Sequence, residues 1–248
     1  MNTYVYGITA RSHDALPEGL SGVGDPPRPV RLLEQGDLMA VVSDAPPDLR
    51  PKRRELLAHQ KVLGEAGATG CVLPMRFGSV APDDSTVTGV LAERAEHFAE
   101  RLGALDEKTE YNVKATHEEE AVLHRVLADT PELRELAEAN RRSGGGSQEQ
   151  QLRLGEMIAT AVRAQETRDE AALLERLRPK AADISVGPAS TGWLANVSFL
   201  LDRDAVGEFL DAVDELRRAA PHLQLNVNGP LPPYSFVEPG PSGPAETK

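Results

Sequence analysis

The sequence predicts an α+β protein of two modules, an N-terminal ferredoxin-like α/β sandwich and a C-terminal α/β module with long helices. Three observations carry this expectation. Short segments such as Tyr111-Asn112-Val113-Lys114-Ala115 and Leu223-Gln224-Leu225-Asn226-Val227-Asn228 alternate apolar and polar residues at the two-residue period of a strand. Between such segments, apolar residues recur at helical spacing, as Val87, Val90, Leu91, Ala95, Phe98 and Leu102 do. After Thr116 the composition shifts to a long helical region, which marks a boundary.

Residues 3–9 read as a first strand with Tyr4, Tyr6 and Ile8 on one face. Residues 10–29, rich in Gly and Pro, read as a long surface loop. Its Gly22-Val23-Gly24 does not complete a dinucleotide fingerprint, because the third glycine is missing and prolines stand where a phosphate-binding helix would begin. Residues 30–35 and 37–43 form a hairpin about Gly36. Pro51 suits the first position of a helix reaching about residue 66, with Leu56, Leu57 and Leu63 on its apolar side. Residues 70–73 make a short strand that Pro74 ends. Asp83 and Asp84 complement the dipole of a helix running to Leu102, and residues 110–115 supply a closing strand. The order β-β-β-α-β-α-β is that of a ferredoxin-like sandwich with one extra strand, placing the N-terminal module at residues 1–116.

Residues 117–178 read as bridging helices. Glu118 to Glu120 open the first, whose Ala121, Val122 or Leu123, Val126 and Leu127 face inward; Pro131 restarts it, and Ser143-Gly144-Gly145-Gly146-Ser147 breaks it. Residues 148–178 form the longest helix, roughly 45 Å at 1.5 Å per residue. Residues 179–238 make the C-terminal module: strands at 183–186 and 194–201, a helix at 204–219 burying Val206, Phe209, Leu210, Val213 and Leu216, and a strand from Leu223. Gly229-Pro230 is expected to stop that strand, and Pro232-Pro233 to hold the next residues extended. The aromatics that follow, Tyr234 and Phe236, are either a lid docked on their own domain or a surface for a partner. Residues 239–248 read as a disordered tail.

Of the 248 residues, 40% are hydrophobic and 27% charged, as in a soluble globular protein. Asp and Glu outnumber Lys and Arg by 39 to 27, a formal charge of −12 that repels phosphate backbones, so nucleic acid is not an expected partner. Cys71 is the single cysteine, which fits a reducing cytosol. The chain shows no signal pattern and no apolar run of membrane-spanning length, so a cytoplasmic protein without a membrane is expected.

Reactive chemistry is not expected. Cys71 and His59 are the pair to weigh as nucleophile and base, but Cys71 lies in an apolar strand that favours an inert buried thiol. His117 and His124 stand seven residues apart, two helical turns, too far to share one ion, and read as a solvated face. No Gly-x-Ser-x-Gly or Walker pattern occurs. The expectation is no enzyme, no metal and no cofactor. What remains is surface recognition. Arg76-Phe77, between Pro74 and Gly78, sets a guanidinium beside an aromatic at a strand's rim, the residue types of interface anchors. The alternative is that Arg76 pairs with a carboxylate and Phe77 packs inside. Trp193 reads as a core plug.

Four stretches carry a resemblance. Gly229-Pro230-Leu231-Pro232-Pro233-Tyr234-Ser235-Phe236-Val237 resembles the closing motif of the gas vesicle protein F/L family (GvpF/GvpL), and Val72-Leu73-Pro74-Met75-Arg76-Phe77-Gly78 resembles its proline-arginine-phenylalanine-glycine block. The opening Tyr4-Val5-Tyr6-Gly7-Ile8 and Asn112-Val113-Lys114-Ala115 fit as well, in the family's order. The resemblance implies an accessory protein of gas vesicle assembly, in the cytoplasm and at the gas vesicle. It would bind the hydrophobic shell protein, and other accessory proteins, and limit shell-protein aggregation during nucleation. Candidate contacts are Pro74, Arg76, Phe77, Tyr234 and Phe236. The rival expectation is a small-molecule-binding regulatory module on the same fold; a pocket lined by polar groups would favour it, and an open apolar groove the client-binding reading.

Overall fold

Whether a strand alternates or reads as an unbroken apolar run reports how many of its faces are covered, and both kinds occur here. The computed structural model describes residues 2–188 and 192–238. They form two compact units: residues through Glu110 together with those from Gly229, and Tyr111–Asn228. The expected tail at 239–248 lies outside the described residues, as do residues 189–191 of the loop before Gly192.

The first unit is built on β1 (Thr3–Ala10), β2 (Arg31–Gln35), β3 (Leu38–Asp44), α1 (Arg53–Thr69), β4 (Val72–Pro74), β5 (Val80–Ala81), α2 (Asp84–Glu93) and α3 (Ala95–Leu105). Its sheet has the order β2-β3-β1-β4, with β5 also paired to β1. β1 runs antiparallel to β3 from Thr3 opposite Asp44 to Ala10 opposite Leu38, with a register shift between Val5 and Gly7. Residues 3–9 of β1 are all buried, which explains the run Tyr-Val-Tyr-Gly-Ile: covered on both faces, the strand has no polar side. α1 packs on β1 and β4, and α2 and α3 lie against β1 to β4.

Several expectations are corrected here. α1 starts at Arg53 and turns Glu55, His59, Val62, Leu63 and Ala66 inward, while Leu56 and Leu57 are 38% and 53% exposed. Two polar residues with fixed partners set the helix's rotation, against the count of leucines. The helix expected from Asp83 to Leu102 is two, broken at Arg94, and Val90 is exposed; periodicity records which face is covered, not whether the axis is continuous. β4 begins at Val72 rather than at residue 70 and ends with Pro74 as its last residue, opposite Gly7. The loop at 10–29 buries Leu20, Gly22 and Val23 and closes on itself through a bridge between Ser21 and Pro29. A Cβ at Gly22 would collide with the Tyr6 hydroxyl, so that glycine serves close packing.

The second unit contains β6 (Lys108–His117) from Tyr111 on, α4 (Glu119–Asp129), α5 (Pro131–Arg142), α6 (Gln148–Leu177), β7 (Asp183–Val186), β8 (Ala195–Asp202), α7 (Val206–Ala219) and β9 (Leu223–Leu231) up to Asn228. The order of its sheet is β7-β8-β6-β9. β6, expected to close the N-terminal sheet, therefore lies in the second one. The unit boundaries fall inside β6 and β9, not at Thr116, and the helices read as bridges belong to the second unit. Alternation is clean along β6 from Tyr111 and at the start of β9, whereas β8 is buried continuously from Val197 to Leu201. Tyr111, Val113, Val197, Phe199, Leu201 and Leu223 meet Phe209 and Val213 of α7 and Leu173 and Leu177 of α6. On β6 and β8, Asn112 donates from Nδ2 to Asn196 Oδ1 at 3.1 Å and to Ser198 Oγ at 3.2 Å.

α6 serves two cores. Its N-terminal half packs Leu154, Ile158 and Val162 against Val122, Val126 and Leu133 of α4 and α5, and its last turns enter the sheet's core. It opens with a reciprocal capping box of Ser147 and Gln150. Gly229-Pro230 does not stop β9, which continues to Leu231; an edge strand tolerates a residue without an N–H. Trp193 is 38% exposed rather than a core plug, with the Lys114 ammonium 4.9 Å from its ring centre. Among the described residues no helix is long and apolar enough to cross a membrane.

Phe199 of β8 is fully buried, its ring centre 5.1 Å from that of Phe209 on α7. Phe199→Ala is expected to destabilise the chain by roughly 3–5 kcal/mol, as removal of a core aromatic leaves a cavity, read as a lower urea midpoint.

Candidate functional site

Scarce aromatics concentrate where β1 meets α1. Tyr4 and Tyr6 lie edge to face with ring centres 4.8 Å apart, His59 of α1 stacks on Tyr6 at 5.6 Å, and Phe77 closes the group at 6.1 Å from Tyr4 and 5.8 Å from His59. Buried rings with polar tips need partners. His59 Nε2 lies 3.1 Å from the Met75 carbonyl and so donates to it, which leaves Nδ1 to accept from the Tyr4 hydroxyl at 2.8 Å. Tyr4 Oη in turn accepts the Gly78 N–H at 3.2 Å. Tyr6 Oη accepts the Val23 N–H at 2.9 Å and pairs with Ser43 Oγ at 3.0 Å. Burial holds His59 below its ordinary pKa of 6.5, the Met75 carbonyl acting against it, and burial raises both phenols. The cluster is neutral.

These bonds grip the Pro74-to-Gly78 block at both ends. Met75 donates its N–H to the Tyr6 carbonyl at 2.8 Å, and Gly78 turns the chain at a φ of +89°, a conformation suited to glycine. Phe77 points inward and is partly buried, and Pro74 is buried. Arg76 is exposed, with no ion pair among the described residues. The two readings of Arg76-Phe77 thus divide: the ring packs inside and the guanidinium faces solvent.

The closing motif is docked on the first unit. Tyr234 joins the cluster that holds Tyr4 and Tyr6; burial and the nearby Glu110 carboxylate push its phenol up to about 12. Phe236 is buried, and its carbonyl accepts from Arg101 Nη2 at 2.6 Å. Ser235 donates its N–H at 2.8 Å and its hydroxyl at 2.7 Å to the buried Glu110 carboxylate. Glu110 and Glu55, which accepts the Gly24 N–H at 2.8 Å, are buried acids that the sequence does not single out. Their partners are distant in sequence, so no local signal marks them.

Both ring nitrogens of His59 are engaged elsewhere, which separates it from Cys71. Cys71 is half-buried and lines an open cleft of about 1020 Å³ in the first unit. Its floor includes the buried Leu38 and Leu102; Ala95 and Ala99 of α3 line it, and the exposed Arg11, Asp14, Glu96 and Asp106 stand at its rim. Arg76 and Phe77 are not part of that cleft. His124 is solvent-exposed on α4, whereas the His117 side chain is only 8% exposed.

Against known proteins, residues 2–238 match the family model described as gas vesicle synthesis protein GvpL/GvpF. The chain belongs to the GvpL/GvpF family. It is 63% identical over 238 residues to gas vesicle protein F of Streptomyces sp. (strain CB03234), covering 96% of this chain and 100% of that one. To gas vesicle protein L of the same strain it is 30% identical over 256 residues, covering 94% of this chain and 92% of the relative. The fold matches the crystal structure of the gas vesicle protein GvpF from Anabaena sp. PCC7120 with a TM-score of 0.75 at 22% identity, covering 96% and 98% of the two chains. The α+β class expected from the sequence is the class of this family, whose description names gas vesicle synthesis and no reaction.

The depressed pKa of His59 has a consequence for stability. The unfolded chain takes up a proton as pH falls through about 6.5 while the folded chain resists it, so this stabilisation is complete above that pH and is lost on acidification. Urea midpoints measured from about pH 7 to about pH 5 should fall less steeply for His59→Gln than for the parent chain. Parallel profiles would show that His59 does not titrate this way.

Proposed function

We propose that this chain is an accessory protein of gas vesicle assembly that binds the hydrophobic gas vesicle shell protein in the cytoplasm and limits its aggregation during shell nucleation. The observation that carries this reading is membership of the GvpL/GvpF family across residues 2–238. The first unit adds two surfaces suited to such a client. One is the open cleft, whose apolar floor and charged rim match an amphipathic segment better than a small polar metabolite. The other is Arg76, exposed on a loop already fixed by backbone bonds, so that little freedom is lost when it makes a contact. Pro74 and Phe236 are buried and would act by holding their segments in place, whereas Phe77 and Tyr234 are partly exposed in the same unit. Other gas vesicle accessory proteins are further partners under the same reading.

The test is a pull-down of freshly diluted shell protein by the immobilised full chain, with light scattering to follow aggregation. The parent chain should capture shell protein and suppress scattering. Arg76→Ala is expected to weaken capture roughly 5- to 30-fold, about 1–2 kcal/mol, with an unchanged melting temperature. Ala99→Glu reports separately on the cleft. Failure of the parent chain both to capture shell protein and to slow its aggregation would overturn the proposal.

A further inference from the structure

His117, Asp169 and His222 lie on three separate segments of the second unit: the end of β6, the interior of α6 and the turn before β9. Their side chains converge on one point. His117 Nε2 is 2.8 Å and His222 Nε2 2.9 Å from the same oxygen, Asp169 Oδ2. One ligand atom from each residue lies within 4.8 Å of the other two, and the side chains are only 8%, 9% and 4% exposed. The other carboxylate oxygen, Asp169 Oδ1, accepts from Gln165 Nε2 at 2.9 Å, and Gln165 Oε1 is itself held by Arg168 at 2.6 Å. His117 Nδ1 is buried without a hydrogen-bond partner among the described residues.

We propose that these three residues form a zinc site. Two imidazole nitrogens and a carboxylate oxygen are the donor set that Zn²⁺ takes at sites with three protein ligands, where the fourth place is left to water or another group. In a tetrahedron with bonds of about 2.05 Å, ligand atoms stand roughly 3.3 Å apart, so the carboxylate withdraws slightly and the two rings close by on the order of 1 Å. Gln165 and Arg168 give the carboxylate the outer support that metal-bound carboxylates have. The His117-to-His222 backbone link supplies rigidity as well, since Glu118 donates its N–H to the His222 carbonyl at 2.8 Å. An ion here would staple α6 to the ends of β6 and β9. The competing account is a hydrogen-bonded triad, in which both Nε2–H groups donate to a buried carboxylate and no ion binds. The triad belongs to the second unit and the cleft and Arg76 to the first, and the proposal is independent of the shell-protein reading. It also revises the sequence expectation that His117 sits on a solvated face and that the chain holds no metal.

The experiment uses the purified full chain, stripped with a chelator and titrated with Zn²⁺ or with Co²⁺ as a spectroscopic substitute. The expected result is one equivalent of Zn²⁺, a higher melting temperature, and visible Co²⁺ bands of a four-coordinate site that Zn²⁺ displaces. His222→Gln and Asp169→Asn should abolish the bands, Gln165→Ala should weaken binding roughly 10- to 100-fold, and His124→Gln should leave it unchanged. If the ligand variants fail to fold, X-ray absorption of the parent Co²⁺ complex decides, since two imidazoles in the first shell are required. Uptake far below one equivalent, or bands that survive in His117→Gln/His222→Gln, would leave only the hydrogen-bonded triad.

Discussion

The first unit depends on a hydrogen bond that water cannot replace: the Tyr4 hydroxyl against His59 Nδ1, 2.8 Å apart inside the core. A strand covered on both faces can carry a phenol only if a neighbouring element offers it a partner; for Tyr4 that partner is His59 of α1, and burial keeps the imidazole neutral. The demand fixes the rotation of α1, which is why His59 points in and Leu57 points out. It also fixes the next segment of chain, because His59's other nitrogen takes the Met75 carbonyl and Tyr4 takes the Gly78 N–H. The exposure of Arg76 follows from these bonds, one residue before it and two residues after it.

In the second unit the comparable constraint is the length of α6. A helix running from Gln148 to Leu177 cannot be covered by one small sheet, and it is not: α4 and α5 cover its first half, and the sheet with α7 covers its end. At the join lie Gln165 and Asp169, two buried polar residues one turn apart. They interrupt the apolar stripe, and the cost of burying them is offset by His117, His222 and Arg168, which satisfy their side chains.

Membership of a gas vesicle family and the separation of His59 from Cys71 rest on different grounds. The family rests on similarity along the whole chain, whereas the chemistry rests on where two ring nitrogens are spent. Aromatics are scarce, 4% of the chain, and few of them reach the surface. Tyr4, Tyr6, Phe77 and Tyr234 are drawn into one cluster, and Trp193 is left beside solvent.

By itself the sequence determined the fold class, most element positions and the family motifs, because alternation, helical spacing, caps and prolines are local. α6 ends where Pro179 requires, and Tyr111, Val113 and Ala115 face the core as their spacing says. Only the tertiary structure decided which sheet receives β6, which face α1 buries, and that the segment after Gly229 belongs with residues through Glu110. It alone brought His117 to Asp169 and His222, across 52 and 105 positions of chain from the first to the second and third. Strand pairing and buried polar contacts join residues whose separation in sequence carries no period, so no window along the chain contains them; burial, which penalises every unpartnered polar group, selects them only once the chain has folded.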